Sequence, residues 1–427
     1  MDERALALAI FALAYLAIVT EIIPKTAAAL LGGLAMVVLG VVDQEHAFEA
    51  IDLDVIFLLA GMMIIAHELG RTGVFQWLAV RTAKLARGDP TLVLVLLCLI
   101  TAVGSAFLDN VTTVVLMVPL TLFLARILSV EPVPFLIAEV MASNIGGVST
   151  LVGDPPNVVI GSAADIDFLE FIVHATPLAV AVLALFLVAV YLLFRPRLRA
   201  SNPVRESVLE IDERELVTNP RLLRVAGPVA LGTIVAFLFH GALGLEPATI
   251  ALAGAALLIV LGRVSIEEAL REVEWNTLFF FVGLFMMVQG LAEVGLLSDL
   301  GQALSDVSGD SVGLAAMLVL WPAVLLSSVL NQIPYTTVMV PVVGEMSRTL
   351  GVGEGAQNPL WWALAFGVGF GANLTTVGAA ANVYVVNVAA RAGHRIGFLT
   401  FLRYGTLVTL TAAGLSSLYL WLRYLAF

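Results

Sequence analysis

Ser143-Asn-Ile-Gly-Gly-Val-Ser-Thr-Leu-Val-Gly-Asp-Pro-Pro-Asn157 interrupts an otherwise apolar run over 133–162. A helix needs about 20 apolar residues to cross roughly 30 Å of hydrocarbon, and this run is long enough. Gly146, Gly147 and Gly153 weaken a helix, and Pro155 and Pro156 remove two backbone donors. The reading is one membrane span broken near its middle. Irregular backbone at that depth is tolerated only where it is buried in protein or lines a wet cavity.

The rest of the 427-residue chain supports the bilayer setting. Hydrophobic residues make up 60%, charged residues only 13%, and the mean hydropathy is +1.02. Soluble proteins are roughly 45–50% apolar and about a quarter charged, so a soluble enzyme, a nucleic-acid binder and a disordered scaffold are excluded. The net charge of −12 is spread over short loops. One cysteine, Cys98, excludes a disulfide framework, a thiolate metal site and a cysteine redox centre. No small-residue cleavage site follows the first apolar run, which reads as a retained helix.

Working outward, expected spans are 5–23, 27–42, 55–70, 133–162, 168–194, 223–241, 247–262, 277–293, 359–390 and 398–422. Two further apolar segments, 91–125 and 312–344, carry polar residues near their middles and read as re-entrant hairpins. A polar stretch over 195–222, rich in arginine, reads as a linker between halves 1–194 and 223–427. A shift of 222 positions aligns Gly32 with Gly254, Gly61 with Gly283, Gly73 with Gly295, Ser105 with Ser327 and Pro119 with Pro341. Later the offset grows to 225, where Gly153 and Asn157 match Gly378 and Asn382. Chance apolar similarity does not hold such a register, so the halves are repeats.

Charge placement gives the expected orientation. With the linker in the cytoplasm and both hairpins returning to the face they entered, all but Arg4, Arg348 and Arg423 of the 21 lysines and arginines lie inside. That is the positive-inside bias. It makes the repeats inverted, each with five crossings and one hairpin, and puts both termini outside a plasma (inner) membrane.

Inverted repeats with broken helices are the usual build of a secondary transporter, with the site where the repeats meet. Four segments supply it. The first tip gives Asp109, Asn110, Thr112 and Thr113, and the first break gives Asn144, Gly146, Gly147, Ser149, Thr150, Gly153, Asp154 and Asn157. The second tip gives Asn331, Gln332, Thr336 and Thr337, and the second break gives Asn373, Thr375, Thr376, Gly378 and Asn382. Such side chains also knit helices together, but their duplication favours a binding site. Asn and Thr supply oxygens, glycines admit carbonyls, and half-helix N-termini attract anions.

Asp109 and Asp154 are ionisable at membrane depth, which marks them as groups that carry a proton or Na⁺. Their repeat partners are Asn331 and Ala379. The structural alternative for Asp154 is a cap on the following half-helix. None of the four segments holds Lys or Arg, so no side-chain clamp for an anion is expected there. Glu21 and Lys25 lie four apart and read as an interfacial pair; Glu139 precedes the first break as a further contact. His67 and His240 read as packed or hydrogen-bonded, and Phe279-Phe280-Phe281 as lipid-facing or core packing.

Ala138 to Asn157, together with the Asp109-Asn110 and Asn331-Gln-Ile-Pro334 tips and Gly378-Ala-Ala-Ala-Asn382, resembles the ArsB/NhaD and P-protein branch of the ion transporter superfamily. The resemblance covers nearly the whole chain. It implies a homodimer in membrane lipid, an all-α fold, and an elevator in which a transport domain (about 91–165 and 312–390) moves against a scaffold. It implies no resident cofactor beyond a bound proton or Na⁺. Members of the superfamily carry arsenite, exchange Na⁺ for protons, or move citrate, dicarboxylates and silicate. Tips reading Ser-Asn-Thr mark the carboxylate branch, and those here differ. Cargo expectations therefore run from arsenite or antimonite efflux by proton antiport, through Na⁺/H⁺ exchange, to cation-coupled anion or dicarboxylate transport. An ion channel is the rival of another class. With Cys98 alone, arsenite has no thiolate triad and binds as neutral As(OH)₃ through hydrogen bonds.

Overall fold

A computed structural model describes residues 2–196, 198, 212, 216–353 and 355–426. The linker residues Arg197, Arg199, Arg205 and Arg214 lie outside the described residues. Helices account for every regular element among those described. The first half contains α1 (Glu3–Thr20), α2 (Lys25–Val38), α3 (Gln44–Glu49), α4 (Leu53–Arg71), α5 (Val74–Leu85), α6 (Pro90–Leu108), α7 (Asn110–Ile127), α8 (Val133–Gly147), α9 (Pro155–Ala164) and α10 (Phe168–Phe194). The second half contains α11 (Pro220–Leu238), α12 (Pro247–Gly262), α13 (Ile266–Arg271), α14 (Trp275–Glu293), α15 (Leu296–Ser308), α16 (Val312–Leu330), α17 (Gln332–Thr349), α18 (Pro359–Gly371), α19 (Ala380–Arg391) and α20 (Phe398–Leu420). Each helix of the first half has its partner ten places on; a single turn at His240–Leu243 is the main addition.

Eight of the described helices are at least 18 residues long and apolar enough to cross a membrane. Three of those eight, α6, α7 and α16, are hairpin arms that stop at a tip. True crossings include shorter helices, because α8 with α9 and α18 with α19 each share one passage.

Contacts at the helix ends establish the inversion. Asn219, just before α11, donates its backbone N–H to the Thr72 carbonyl at 3.4 Å, and Thr218 donates to the Arg71 carbonyl at 2.9 Å. On this linker face Arg71 also pairs with Glu68 at 3.0 Å and Glu268 at 3.4 Å. α1 begins on the other face, where Arg4 pairs with Asp299 at 2.8 Å. There, too, His46 meets Glu293 at 3.4 Å and Ser162 donates to Asp52 at 2.5 Å. α4 runs from Leu53, capped by Asp52, to Arg71, about 28 Å at 1.5 Å per residue, and so separates the two faces. α1 and α11 therefore start on opposite sides.

Close backbone packing follows the same symmetry. α2 lies against α14, with Gly33 at the Gly283 carbonyl, and α4 lies against α12, with Gly61 at the Ala251 backbone. Each first hairpin arm packs on its own broken helix: Gly146 admits the Ala102 carbonyl and Gly371 that of Val324. A Cβ at any of these positions collides with backbone, which cannot yield as a side-chain tip can. The second arms cross over, α7 against α19 and α17 against α9, tying the repeats together at the centre.

Candidate functional site

Asp109 alone joins α6 to α7, at φ 71° and ψ 156°, and Asn331 alone joins α16 to α17, at φ 70° and ψ 140°. Non-glycine residues rarely adopt this backbone, which costs on the order of 1–3 kcal/mol. Short polar side chains offset that strain by bonding the backbone ahead of them. Asp109 Oδ1 accepts from Val111 N at 2.7 Å and Thr112 N at 3.1 Å, while Oδ2 accepts from the Thr112 hydroxyl at 2.5 Å. Asn331 Oδ1 accepts from Ile333 N at 3.2 Å.

The unwound stretches are held in the same way in both repeats. Asn157 Nδ2 donates to the carbonyls of Gly147 and Thr150, both at 2.9 Å. Asn382 Nδ2 donates to those of Ala372 and Thr375, at 2.7 and 2.8 Å. The Thr150 hydroxyl bonds the Ala106 carbonyl and that of Thr375 bonds the Ser328 carbonyl, locking each break to the neighbouring hairpin. Gly147 abuts Gly153, and Gly378 abuts Ala372, closely enough that only glycine fits. Ser149 donates to the Gly146 carbonyl at 2.5 Å and turns away from the centre.

Between the breaks lies a buried knot of amides. Asn144 Nδ2 donates to Asn373 Oδ1 at 3.1 Å and to Asn382 Oδ1 at 3.0 Å, and Asn110 reaches Asn144 Oδ1 at 3.5 Å. Gln332, from the second tip, donates to Asp154 Oδ1 at 2.8 Å. Asp154 Oδ2, Gln332 Oε1, Asn373 Nδ2, and the hydroxyls of Thr113 and Ser327 are buried with no hydrogen-bond partner. Buried polar atoms in native proteins almost always have partners, and exceptions point to bound water or ions.

The structural alternative for Asp154, a helix cap, is filled by Asp109 instead. Asp154 occupies the N-cap position of α9 yet makes no capping hydrogen bond, because its carboxylate turns to Gln332. Asp109 is the side chain that caps a helix. Thr336 and Thr337 donate back to the Gln332 and Ile333 carbonyls of their own helix, so the fold does not direct them to the centre. Thr376 is half-buried. Glu139 is buried away from the centre, accepting from Thr101 at 3.1 Å and Thr121 at 2.6 Å.

A small cavity of about 40 Å³, enough for a few water-sized species, is lined by Asp109, Asn110 and Gln332 from the tips and by Leu58, Met62, Thr277 and Phe280 from α4 and α14. Lys25 and Glu274 also line it. The expected Glu21–Lys25 pair does not form; the Lys25 ammonium instead lies 5.8 Å from the centre of the Phe280 ring. The cavity thus has a cation that the four polar segments lack. Sequence spacing hid it, since Lys25 and Glu274 are remote from the tips in the chain. Phe280 and Phe281 are buried while Phe279 is half exposed, so that run serves packing, cavity and periphery together. His67 pairs with Glu272 at 3.5 Å, and His240 meets the Phe168 backbone N–H at 3.4 Å.

Beyond Leu58 and Val158, which line both spaces, a second cleft of about 260 Å³ opens toward the opposite face. Asp54, Asp165, Asp167, Glu246 and His240 line it. Two clefts approach one central region from opposite faces and are separated there by two apolar side chains.

This architecture has known counterparts. The model of the citrate transporter family matches residues 15–367, most of the chain. The chain belongs to that family. An uncharacterized transporter of Mycobacterium tuberculosis is 43% identical over 426 residues, 98% of either chain. The human P protein is 33% identical over 482 aligned residues, covering 94% of this chain and 57% of the P protein. The YdaH transporter of Alcanivorax borkumensis, whose crystal structure is described as having an unusual topology, matches with a TM-score of 0.60 at 16% identity. That match covers 88% of this chain and 86% of YdaH, and it shows the shared fold. Membership makes the protein a multi-pass membrane transporter of the ion transporter superfamily.

Proposed function

We propose that the protein is a cation-coupled secondary active transporter in which the hairpins and broken helices move as an elevator against α1, α2, α4, α11, α12 and α14. The observation that carries this reading is the pair of clefts meeting at Leu58 and Val158, beside Asp109 and close to Asp154. Alternating access requires such a barrier; an apolar constriction also serves as a channel gate, and conductance separates the two. Asp154 serves as the principal coupling group in this reading, because its buried Oδ2 has no hydrogen-bond partner among the described residues. The carrier works as a homodimer in the inner membrane with the linker face in the cytoplasm.

The cargo that suits the centre is small, neutral and hydroxylated. Its orphaned atoms mix acceptors (Asp154 Oδ2, Gln332 Oε1), a donor (Asn373 Nδ2) and two hydroxyls, and no guanidinium is present to grip a carboxylate. Arsenite or antimonite as the trihydroxide, exported against entering protons, is the first assignment. Na⁺/H⁺ exchange is the second reading, favoured by Asp154 Oδ2 and Gln332 Oε1 lying on one hydrogen-bonded pair as ready oxygen ligands.

Proteoliposomes loaded with a pH-sensitive dye and challenged in turn with arsenite, Na⁺, citrate and chloride test the assignment. Proton movement driven by arsenite supports the first reading, and movement driven by Na⁺ alone supports the second. Response to citrate alone makes the protein an anion carrier. Conductance far above carrier turnover in planar bilayers sinks the elevator.

A further inference from the structure

A carboxylate at the centre has to exchange its proton with bulk water, yet Asp154 lines neither of the two clefts. Asp109, which acts on Asp154 through space, lines the small cavity, and so does Glu274. Glu274 acts in turn on Asp109 through space and is itself exposed. It follows α13, whose Glu268 pairs with Arg71, and so stands on the linker face. The three acids thus run from the buried centre, through the cavity, to water. Asp109 Oδ1 is taken by two backbone N–H groups, which only donate, whereas Oδ2 meets the Thr112 hydroxyl, which also accepts. A proton on Asp109 therefore sits on Oδ2. At the mouth, the hydroxyl of Thr277, another lining residue, donates to Glu274 at 3.0 Å. The position aligned with Glu274 in the first repeat holds Asp52, which accepts from Ser162, a lining residue of the second cleft on the opposite face. Each repeat places one acid beside one cleft. Lys25, the third charged residue of the cavity lining, lies over the Phe280 ring, and the turn before Glu274 carries Arg271 and Glu272, the latter paired with His67. The residues that α4, α9 and α17 contribute to the lining, such as Leu58, Pro155 and Gln332, carry no charge.

We propose that Glu274 is the proton exit on the linker face, taking the proton from Asp109 Oδ2 and passing it to water at the cavity mouth. This rests on the proton-coupled elevator reading above and deepens it. The O–H bond at Asp109 breaks, a new one forms on a Glu274 carboxylate oxygen by way of cavity water, and bulk water then takes the proton from Glu274. Both carboxyl groups end as carboxylates, one proton has moved, and nothing else is consumed. The cavity holds the few water molecules such a relay needs. With the linker face in the cytoplasm, protons that entered from the opposite side leave here, the direction that export of a neutral cargo requires. Glu274 belongs to the stationary helices and Asp109 to the hairpin, so the two share a cavity only while the tip is on the linker face. The exit therefore serves one face, and no standing proton path joins the two sides.

Time-resolved infrared spectroscopy of the full-length chain in lipid nanodiscs tests this without a known cargo. The protein is stepped from acidic to alkaline pH in the absence of Na⁺, and the carboxyl band that Asp109→Asn removes is followed as it decays. Glu274→Gln should slow that decay by about tenfold, less than the full worth of a positioned proton acceptor because cavity water still takes the proton. Added formate, a small carboxylate acceptor, should restore the rate in Glu274→Gln and leave the wild type unchanged, and Glu274→Asp should keep most of the rate. Glu272→Gln, which removes an exposed acid outside the lining, should decay like the wild type. An unchanged rate in Glu274→Gln overturns the proposal. So does equal slowing in Glu272→Gln, which makes the effect one of general surface charge, or a slowing that formate does not relieve, which makes Glu274 a structural residue. Absence of solute-driven proton flux in wild-type proteoliposomes counts against the transport reading instead, and the decay of the Asp109 band still decides the role of Glu274.

Discussion

The two broken helices and their tips are built on one plan and carry different chemistry. Asn157 and Asn382 bond equivalent carbonyls, Thr150 and Thr375 tie equivalent hairpins, and Asp109 and Asn331 bend through the same rare backbone. Where the first repeat has Asp109, Asp154 and Glu139, however, the second has Asn331, Ala379 and Leu364 at the aligned positions. What both copies share is needed to hold an unwound centre at membrane depth. Of what one copy adds, Asp109 and Asp154 at the centre are where the proposed coupling is to be tested, while Glu139 lies in a separate buried layer. The second repeat serves as a built-in control for the first.

The largest effect expected from that comparison is at the acids. Asp109→Asn makes the first tip resemble the second, where an asparagine at the same φ still caps its helix. The variant should express and melt like the wild type while solute-driven proton flux falls by about a hundredfold, the loss typical of removing a positioned proton carrier. Asp154→Asn keeps an acceptor for Gln332 and removes the orphaned carboxylate oxygen, so it should be equally inert in flux and at least as stable. Wild-type coupling in both variants would remove the acids from the mechanism.

Next come the paired asparagines. Asn157→Ala removes the side-chain donor to the Gly147 and Thr150 carbonyls. Asn382→Ala removes that to the Ala372 and Thr375 carbonyls, of which Thr375 keeps the Gly378 N–H at 3.4 Å, and also removes an acceptor of Asn144. The cost is about 1–3 kcal/mol per group left unsatisfied. Thermal unfolding in detergent should show similar drops in Tm for the two. A much smaller drop for Asn382→Ala would mean that the second break is held by other contacts and that the repeats are equivalent in shape only.

These contrasts also mark how far the amino-acid sequence could be read. The expected spans 168–194 and 247–262 coincide with α10 and α12, and the glycines and prolines of 143–157 locate the break, because local propensity and hydropathy decide such features. The tips were legible as polar interruptions in apolar hairpins. Which aspartate caps and which stays open was not, since that depends on Gln332 reaching Asp154 from 178 residues away. Lys25 and Glu274 were invisible as cavity residues for the same reason: α2 and α14 are remote in the chain and meet only in the folded protein, where Gly33 packs on Gly283 and Thr26 bonds the Asn276 carbonyl. Thr336 and Thr337 looked like tip ligands, yet a threonine inside a helix readily bonds the carbonyl a turn behind it.

Glu139 sharpens the comparison at smaller scale. Its partners Thr101 and Thr121 align with Ala323 and Val343, and all three second-repeat residues at these positions, Leu364 included, are buried. The second repeat thus fills the equivalent layer without polar groups. Replacing a satisfied buried polar cluster by apolar residues of similar size is often neutral or stabilising. The triple variant Thr101→Ala, Thr121→Val, Glu139→Leu should therefore melt within a few degrees of the wild type and retain flux. Intact melting with lost proton coupling would instead place Glu139 on the proton path.

The smallest effect belongs to Thr336 and Thr337. Each hydroxyl bonds only the carbonyl four residues back, at 2.8 and 3.1 Å, within a helix already hydrogen-bonded along its length. Such back-bonding contributes little to stability and slightly bends the helix. Thr336→Val and Thr337→Val keep the shape and remove the hydroxyls, so both should change stability by less than about 1 kcal/mol and leave cargo affinity unaltered. Thr112, only two residues into α7, provides the contrast, because its hydroxyl bonds the carboxylate of Asp109 and helps fix the tip. Thr112→Val should weaken cation coupling while the two second-repeat variants leave it alone. Comparable losses in all three would show that α17 does present hydroxyls to the cargo, and the division between a folding copy and a chemical copy would no longer hold.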